Sequence, residues 1–119
     1  MKKLFASTAV AAAMVAGGAT AAHANTSAHY LGYGYTNNAH GVWCVQSILN
    51  HTDKAGLTLD SDFGYDTEGA VEDFQTEHHL SPDGVVGPKT GNALLNAFAT
   101  YQHTTVWNAY CRQYIPTTV

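Results

Sequence analysis

One residue pattern occurs twice between positions 60 and 94, and this duplication constrains the fold more than any other feature of the sequence. The first copy covers residues 60–71 and reads DSDFGYDTEGAV, and the second covers residues 83–94 and reads DGVVGPKTGNAL. Each copy combines an acidic turn, an apolar residue, a glycine and the start of a helix that contains a threonine. A unit this short cannot bury its own apolar face, so we expect the two copies to pack against each other.

Three helices are predicted from the spacing of the apolar residues. Asn38 is a suitable N-cap for a helix over about residues 39–51, and the two repeats predict helices over about residues 65–79 and 88–101. Pro88 falls at the first position of the last helix, where proline is tolerated best. The side chains that we expect in the core are Val42, Val45, Ile48, Leu49, Ala70, Val71, Phe74, His78, Ala93, Leu94, Ala97, Phe98 and Tyr101.

Several polar and glycine residues around the repeats are interpreted as structural. Gly64 and Gly87 are placed at the N-cap positions of the two repeat helices. Asp60 and Asp83 are expected to accept hydrogen bonds from the backbone of their own turns. The side-chain amide of Gln46 is also expected to bond the turn backbone, because a buried polar group needs a partner.

A further set of spaced elements agrees with one known family. These elements are VQSIL at residues 45–49, LDSDFG at 59–64, Thr67, Ala70, Val71, Phe74, Gln75, Leu80, DGVVGP at 83–88, Thr90, Leu94 and Leu95. On these residues, the segment from about residue 41 to residue 95 resembles the peptidoglycan-binding domain found beside many bacterial wall hydrolases. Ser61 departs from the turn glycine usual in the family, which Gly84 supplies in the second copy, and Tyr65 stands where the second copy has Pro88.

The resemblance implies an all-α fold, a small three-helix bundle with a duplicated turn-helix unit. It also implies that the chain binds bacterial peptidoglycan, through either the glycan or the stem peptide. Catalysis in the family resides in a separate domain, so the resemblance implies a module that is not an enzyme. We accordingly expect no catalytic residue, no cofactor and no metal site.

The predicted ligand-binding surface consists of the two turns and the helix starts that follow them. Backbone N–H groups at a helix N-terminus bind carboxylates and nearby acidic side chains bind amines, so such a surface suits a stem peptide. The residues predicted to bind the ligand are Asp62, Phe63, Tyr65, Thr67, Asp83, Val86 and Thr90. A structural role is the competing interpretation for each of them, and it is the preferred one for Phe63 and Val86.

The first 24 residues have the composition of a secretory signal peptide. Lys2 and Lys3 precede an apolar, alanine-rich run, and residues 22–24 read AHA, a small-x-small cleavage signal. We therefore expect a mature chain that begins near Asn25 and forms a single domain over residues 25–119, secreted and either extracellular or associated with the cell wall. A non-cleaved anchor is the alternative. No later stretch approaches the ~20 apolar residues of a membrane span.

Cys44 and Cys111 are the only cysteines in the sequence. In an exported protein an even pair is most simply a disulfide, and a domain near the small end of independent folding benefits from such a bond. We predict a disulfide between them, with free buried thiols as the alternative.

The charge balance narrows the classes of partner. Nine acidic side chains outnumber five Lys and Arg residues, and the formal charge of −4 becomes −6 once Lys2 and Lys3 are removed. Nucleic acids and anionic membranes are bound mainly through Lys and Arg, so neither is expected as a partner. We expect a monomer that binds peptidoglycan, with an exported wall enzyme as the alternative partner.

The sequence offers no recognisable catalytic or metal-binding pattern. Its histidines lack the i, i+4 spacing of a zinc-protease helix, and Asp60 with Asp62 supplies too few oxygens for calcium. Three functions remain open: a wall-binding module, an interaction protein that regulates or inhibits an exported enzyme through the same fold, and a small wall hydrolase.

The segments that flank the repeats are less regular. Residues 25–40 are rich in Gly, Asn, Ser and Thr and predict a loop or arm. Its tyrosines, Tyr30, Tyr33 and Tyr35, either stack on sugar rings or stem peptides or pin the arm to the domain. Residues 102–119 are too apolar for a disordered tail and predict a short strand or an irregular wrap.

Overall fold

The computed structural model describes residues 24–102 and 106–118. Apart from its last residue, the predicted signal peptide lies outside the described residues. The side chain of Tyr101, which the sequence predicts in the core, lies outside them as well.

Four helices make up the regular structure of this part of the chain: α1 (Ala39–Thr52), α2 (Tyr65–Glu77), α3 (Pro88–Gln102) and α4 (Val106–Arg112). The first three are the predicted helices, and α2 and α3 are the helices of the two repeats. The described residues contain no strand, only isolated backbone bridges. The prediction of an all-α fold, with a three-helix bundle and a duplicated turn-helix unit, is confirmed.

The bundle helices begin at the predicted caps. The side-chain oxygen of Asn38 accepts hydrogen bonds from the backbone N–H groups of His40 at 2.9 Å and Gly41 at 3.2 Å. Gly64 and Gly87 immediately precede α2 and α3, and their carbonyls accept the N–H four residues later, at 3.0 Å and 2.8 Å. The two repeats therefore open their helices with the same backbone bond.

Helix α2 ends at Glu77, two residues earlier than predicted. His79 adopts a left-handed conformation with φ of 59°, and its N–H donates to the Thr76 carbonyl at 3.2 Å. The N–H of Leu80 donates to the Gln75 carbonyl at 2.8 Å. This pair of bonds is a Schellman cap, which satisfies the last carbonyls of the helix and turns the chain toward the second repeat.

The core contains apolar side chains from all four helices, from both turns and from both flanking segments. Its buried members are Leu31, Val42, Cys44, Val45, Ile48, Leu49, Phe63, Val71, Phe74, Val86, Leu94, Leu95, Phe98, Cys111 and Ile115. The predicted alanines, Ala70, Ala93 and Ala97, are half-buried against this cluster. The predicted burial of His78 is wrong, because this residue lies beyond the end of α2 and is exposed, with its ring stacked on Phe74.

The C-terminal segment differs from the prediction. A strand or an irregular wrap is wrong for residues 106–112, which form α4. The chain then crosses α3, where the carbonyl of Pro116 lies so close to Gly91 that a Cβ there would overlap it. The N–H of Thr117 donates to the carbonyl of Asn25 at 3.0 Å, so the two flanking segments of the described domain meet.

A disulfide between Cys44 and Cys111 joins α1 to α4, as predicted, with the Cα atoms 5.6 Å apart. Both cysteines are buried in the core cluster. They are 67 residues apart in the sequence. By the chain-entropy relation, closing a loop of this length contributes up to about 4 kcal/mol to the free energy of unfolding.

A buried glutamine holds each acidic turn, and the second repeat shows the arrangement most clearly. The side-chain nitrogen of Gln75 lies 2.9 Å from Asp83 Oδ1, 2.9 Å from the Val85 carbonyl and 3.0 Å from Thr90 Oγ1. Its side-chain oxygen accepts the N–H of Gly84 at 2.9 Å. One amide thus connects the acidic residue, the turn backbone and the first turn of α3.

Gln46 makes the same four contacts in the first repeat. Its side-chain nitrogen lies 3.0 Å from Asp60 Oδ1, 3.1 Å from the Asp62 carbonyl and 3.2 Å from Thr67 Oγ1. Its side-chain oxygen accepts the N–H of Ser61 at 3.1 Å. The predicted role of Gln46, bonding the turn backbone, is confirmed.

The two turns share a left-handed backbone conformation at the position where the first repeat has Ser61 and the second has Gly84. Ser61 and Gly84 both have left-handed φ values, 62° and 73°. Glycine adopts this conformation without strain, and a Cβ at Gly84 would also lie 2.8 Å from Cγ of Glu68 on α2. The first turn accommodates a serine at the equivalent position.

Removing the disulfide tests how strongly the C-terminal segment stabilises the bundle. We expect the double substitution of Cys44→Ser and Cys111→Ser to lower the melting temperature by about 10 °C or more, because a loss of about 2 to 4 kcal/mol is large for a domain of this size. Differential scanning calorimetry measures the change. Labelling of two thiols in the non-reduced wild type would contradict the bond itself.

Substituting Gln75 tests the glutamine that supports the second turn. We expect Gln75→Leu to lower the free energy of unfolding by at least about 2 kcal/mol, because it leaves several buried polar groups of the turn without a partner. Gln113→Leu, at an exposed position, is the control and should change it by less than about 0.5 kcal/mol. Equal denaturant midpoints for the two variants would show that the amide does not support the turn.

A pair of glycine substitutions tests the close approach of the C-terminal segment to α3. Alanine favours a helix over glycine by about 1 kcal/mol, so Gly69→Ala on α2, where a Cβ meets no atom within 4 Å, should stabilise the protein. We expect Gly91→Ala to destabilise it instead, because the new methyl group displaces the backbone at Pro116. Urea unfolding of both variants distinguishes the outcomes, and a stabilised Gly91→Ala protein would contradict the packing.

Candidate functional site

The seven residues predicted to bind the ligand divide into a buried group and an exposed group. Four are buried and hold the turns from inside, namely Phe63, Thr67, Val86 and Thr90. Three are exposed, namely Asp62, Tyr65 and Asp83. A ligand that approaches the folded surface therefore meets the exposed three, while the buried four fix the turns that present them.

Tyr65 is the most prominent of the exposed residues. It is the first residue of α2, and 71% of its surface is exposed. Its ring stacks on the ring of Tyr33, with the centroids 4.5 Å apart and the planes 21° from parallel. Tyr33 is not among the seven predicted residues, because no local pattern connects a residue of the flanking arm with the start of α2.

The arm reaches both repeats. Leu31 and Val86 exchange two backbone hydrogen bonds, at 3.2 Å and 2.7 Å, which attach the arm to the second turn. Two residues further on, Tyr33 contacts Tyr65 at the start of the first repeat helix. The arm thus contacts the second turn through Leu31 and the start of the first repeat helix through Tyr33.

Two hollows meet at Tyr65. The first-turn hollow has a volume of about 360 Å³ and is lined by Gln46, Leu57, Thr58, Asp60, Asp62, Gly64, Tyr65, Asp66 and Thr67. The acidic groove has a volume of about 450 Å³ and is lined by Asp53, Ala55, Gly56, Leu57, Tyr65, Asp66, Gly69, Ala70, Asp73 and Glu77. Because three lining residues are common to both, the hollows form one extended depression on either side of the tyrosine.

The second turn has a separate hollow of different character. Its volume is about 410 Å³, and its described lining is Tyr30, Gln75, Leu80, Ser81, Asp83, Val85, Gly87, Pro88, Lys89, Thr90 and Thr118. Asp62, Tyr65 and Asp66 of the first repeat correspond in the alignment of the two copies to Val85, Pro88 and Lys89 here.

The second-turn hollow is therefore less acidic and more apolar than the depression around Tyr65. None of its described lining residues belongs to the other two hollows. The surface that the sequence predicts across the two turns therefore corresponds to two separate hollows in the structure.

Two carboxyl groups that line the extended depression have pKa values shifted from their ordinary ones. The pKa of Asp60 is lowered, chiefly by the hydrogen bond that its carboxylate accepts from the N–H of Asp62 and also by the bond from Gln46. The pKa of Glu77 is raised, chiefly by the charge of Asp53 and also by a hydrogen bond between the two carboxyl groups. Acidic side chains thus line the depression at both ends, an arrangement that disfavours anionic ligands.

Within residues 24–102 and 106–118, no group of three or more His, Cys, Asp or Glu side chains is placed to hold a metal ion. No helix in the described part of the chain has both the length and the apolar character needed to cross a membrane.

Comparison with known proteins finds a family match for the segment that contains the two turns. Residues 41–94 match the family of the peptidoglycan binding domain. No curated protein and no solved structure matches the chain significantly. The matched segment starts within α1, includes both glutamines and both turns, and ends within α3. The arm, α4 and the C-terminal segment lie outside it. This match confirms the resemblance to the peptidoglycan-binding domain that the sequence predicts for the segment from about residue 41 to residue 95.

Proposed function

We propose that the protein is a secreted, non-catalytic module that binds peptidoglycan reversibly. The observation that carries this proposal is the family match, which spans the two glutamine-supported turns. A binding module needs a rigid surface, because ordering a mobile one on binding costs free energy. The eight side-chain contacts of Gln46 and Gln75 supply that rigidity.

The principal contact surface in this proposal is the extended depression around Tyr65. Asp62 and Tyr65 are both exposed there, and both line the first-turn hollow. An aromatic ring beside a carboxylate suits the wall polymer, which offers apolar sugar faces together with hydroxyl, amide and amine donors. Asp83 and the second-turn hollow are a secondary contact.

Export and cleavage before Asn25 are part of the same proposal. Asn25 is held by the C-terminal segment, since its N–H donates to Thr117 Oγ1 at 2.9 Å and its side chain donates to the carbonyls of Arg112 and Gln113 at 2.7 Å and 2.9 Å. These contacts support a folded domain that starts at this residue. The disulfide supports an oxidising location.

Two alternative functions, enzyme regulation and wall hydrolysis, predict different results in a binding assay with purified sacculi. A protein that regulates or inhibits an exported enzyme would bind that enzyme rather than the wall. A small hydrolase would release soluble fragments from it. The binding module is favoured because the family match covers a binding domain and the exposed residues form an open depression.

Sedimentation with purified sacculi tests the proposed surface. We expect the wild type to sediment with sacculi without releasing fragments. Asp62→Ala and Tyr65→Ala should each weaken binding by about tenfold, the effect of losing about 1.4 kcal/mol of contact free energy. Asn96→Ala, at an exposed position of α3 away from both turns, is the control.

Circular dichroism and thermal unfolding should be unchanged in all three variants. Wild-type affinity in both Asp62→Ala and Tyr65→Ala would refute this surface. A wild type that stays in the supernatant would refute wall binding and favour the regulatory alternative.

A further inference from the structure

The arm is attached to the domain by its backbone and by one buried side chain. Leu31 is fully buried and exchanges two backbone hydrogen bonds with Val86. The side chain of Asn37 then closes the next loop, since it accepts the N–H of Gly32 and donates to the Gly32 carbonyl, both at 2.9 Å. These contacts hold the arm in place without needing an exposed aromatic ring.

The arm nevertheless presents three large rings at the surface. Tyr30, Tyr33 and Tyr35 are 50%, 46% and 47% exposed. The exposed half of each ring gains no stability for the free protein. Since Leu31 already anchors the segment, pinning the arm does not account for all three tyrosines.

Tyr33 differs from the other two because it supports a second exposed ring. It stacks on Tyr65, so one face of each ring is fixed against the other. An aromatic residue held in one orientation loses less conformational entropy when a ligand stacks on it. The pair is therefore a preorganised platform, and its Tyr65 ring lies where the first-turn hollow meets the acidic groove.

Several carboxylates lie near this platform, among them Asp62, Asp66 and Glu68. The pKa of Tyr33 is raised, first by its hydrogen bond with Tyr65 and further by the nearby charges of Glu68 and Asp62. Such carboxylates repel an anionic group but accept hydrogen bonds from hydroxyl and amide donors. A flat apolar face beside carboxylate acceptors matches a sugar ring, which is apolar on its faces and carries hydroxyl donors at its edge.

We infer that Tyr33 and Tyr65 together bind a sugar ring of the glycan strand, so that the arm outside the family segment completes the binding site. The inference rests on the proposed function and specifies which part of the polymer is bound. The extended depression on either side of Tyr65 suits a linear chain. The sugar on the platform makes no ion pair with the protein.

The test uses the mature protein and two probes: intact sacculi, and glycan strands from which an amidase has removed the stem peptides. We expect the wild type to bind both. Tyr33→Ala should weaken binding to the peptide-free glycan by about tenfold, while Tyr33→Phe, which keeps the ring, should stay within about threefold of the wild type. Tyr35→Ala is the matched control, because it removes an equally exposed ring of the same arm.

The dependence of affinity on ionic strength distinguishes a contact with a neutral sugar from an ion pair with a stem-peptide amine. Screening lengths fall from about 10 Å at 0.1 M salt to about 3 Å at 1 M. Affinity for intact sacculi, which retain the stem-peptide amines, should therefore change by less than about threefold over this range. A steep loss of affinity with salt would indicate an amine contact and overturn the inference.

The remaining outcomes separate this inference from the proposal on which it rests. Binding to intact sacculi but not to peptide-free glycan at 1 M salt, where repulsion of the carboxylates that the amidase frees is screened, would overturn the sugar platform and leave wall binding in place. Equal affinities of Tyr33→Ala and the wild type, with thermal unfolding unchanged, would do the same. Failure of the wild type to bind intact sacculi would refute the proposed function itself.

Discussion

The rest of this structure depends on one repeated interaction, a buried glutamine amide that bonds an acidic turn. Gln46 and Gln75 each reach an aspartate carboxylate, a turn carbonyl, a turn N–H and a threonine hydroxyl, all within 3.2 Å. A turn contains backbone groups that no helix can satisfy, and a small domain cannot leave them buried without partners. With the amides in place, Phe63 and Val86 can enter the core from the turns.

The two copies keep their interior and change their exterior. Each glutamine contacts the same two side-chain types, an aspartate and a threonine, and otherwise contacts backbone groups. The exposed positions differ between the copies: Asp62, Tyr65 and Asp66 in the first correspond to Val85, Pro88 and Lys89 in the second. Backbone contacts tolerate such changes because they do not depend on the side chain. A duplicated unit can therefore form two surfaces with different charge on one supporting frame, and only the first contains an exposed aromatic residue at its helix start.

The parts that the sequence predicts well are those specified by local pattern. The helix starts at Gly64 and Gly87 follow from residues within one turn, and the pairing of Cys44 with Cys111 follows from their number. Helix α4 was not predictable in the same way, because seven residues are too few to show a helical period. The contact of Tyr33 with Tyr65 is also absent from any local pattern, since it depends on how Leu31 attaches the arm to the second turn. Which of the seven predicted residues are buried and which are exposed depends on how both turns pack, and this packing could not be predicted from local pattern.

The contact between Asn25 and Thr117 has a consequence for the order in which the protein can be completed. A chain emerges from the ribosome, or from an export channel, with its N-terminal end first. Asn25 can pair with Thr117 only after nearly all of the intervening residues have been synthesised. The disulfide imposes the same delay on α1, whose Cys44 pairs with a residue made 67 positions later. The finished domain therefore forms only after the segment that contains Thr117 has been synthesised.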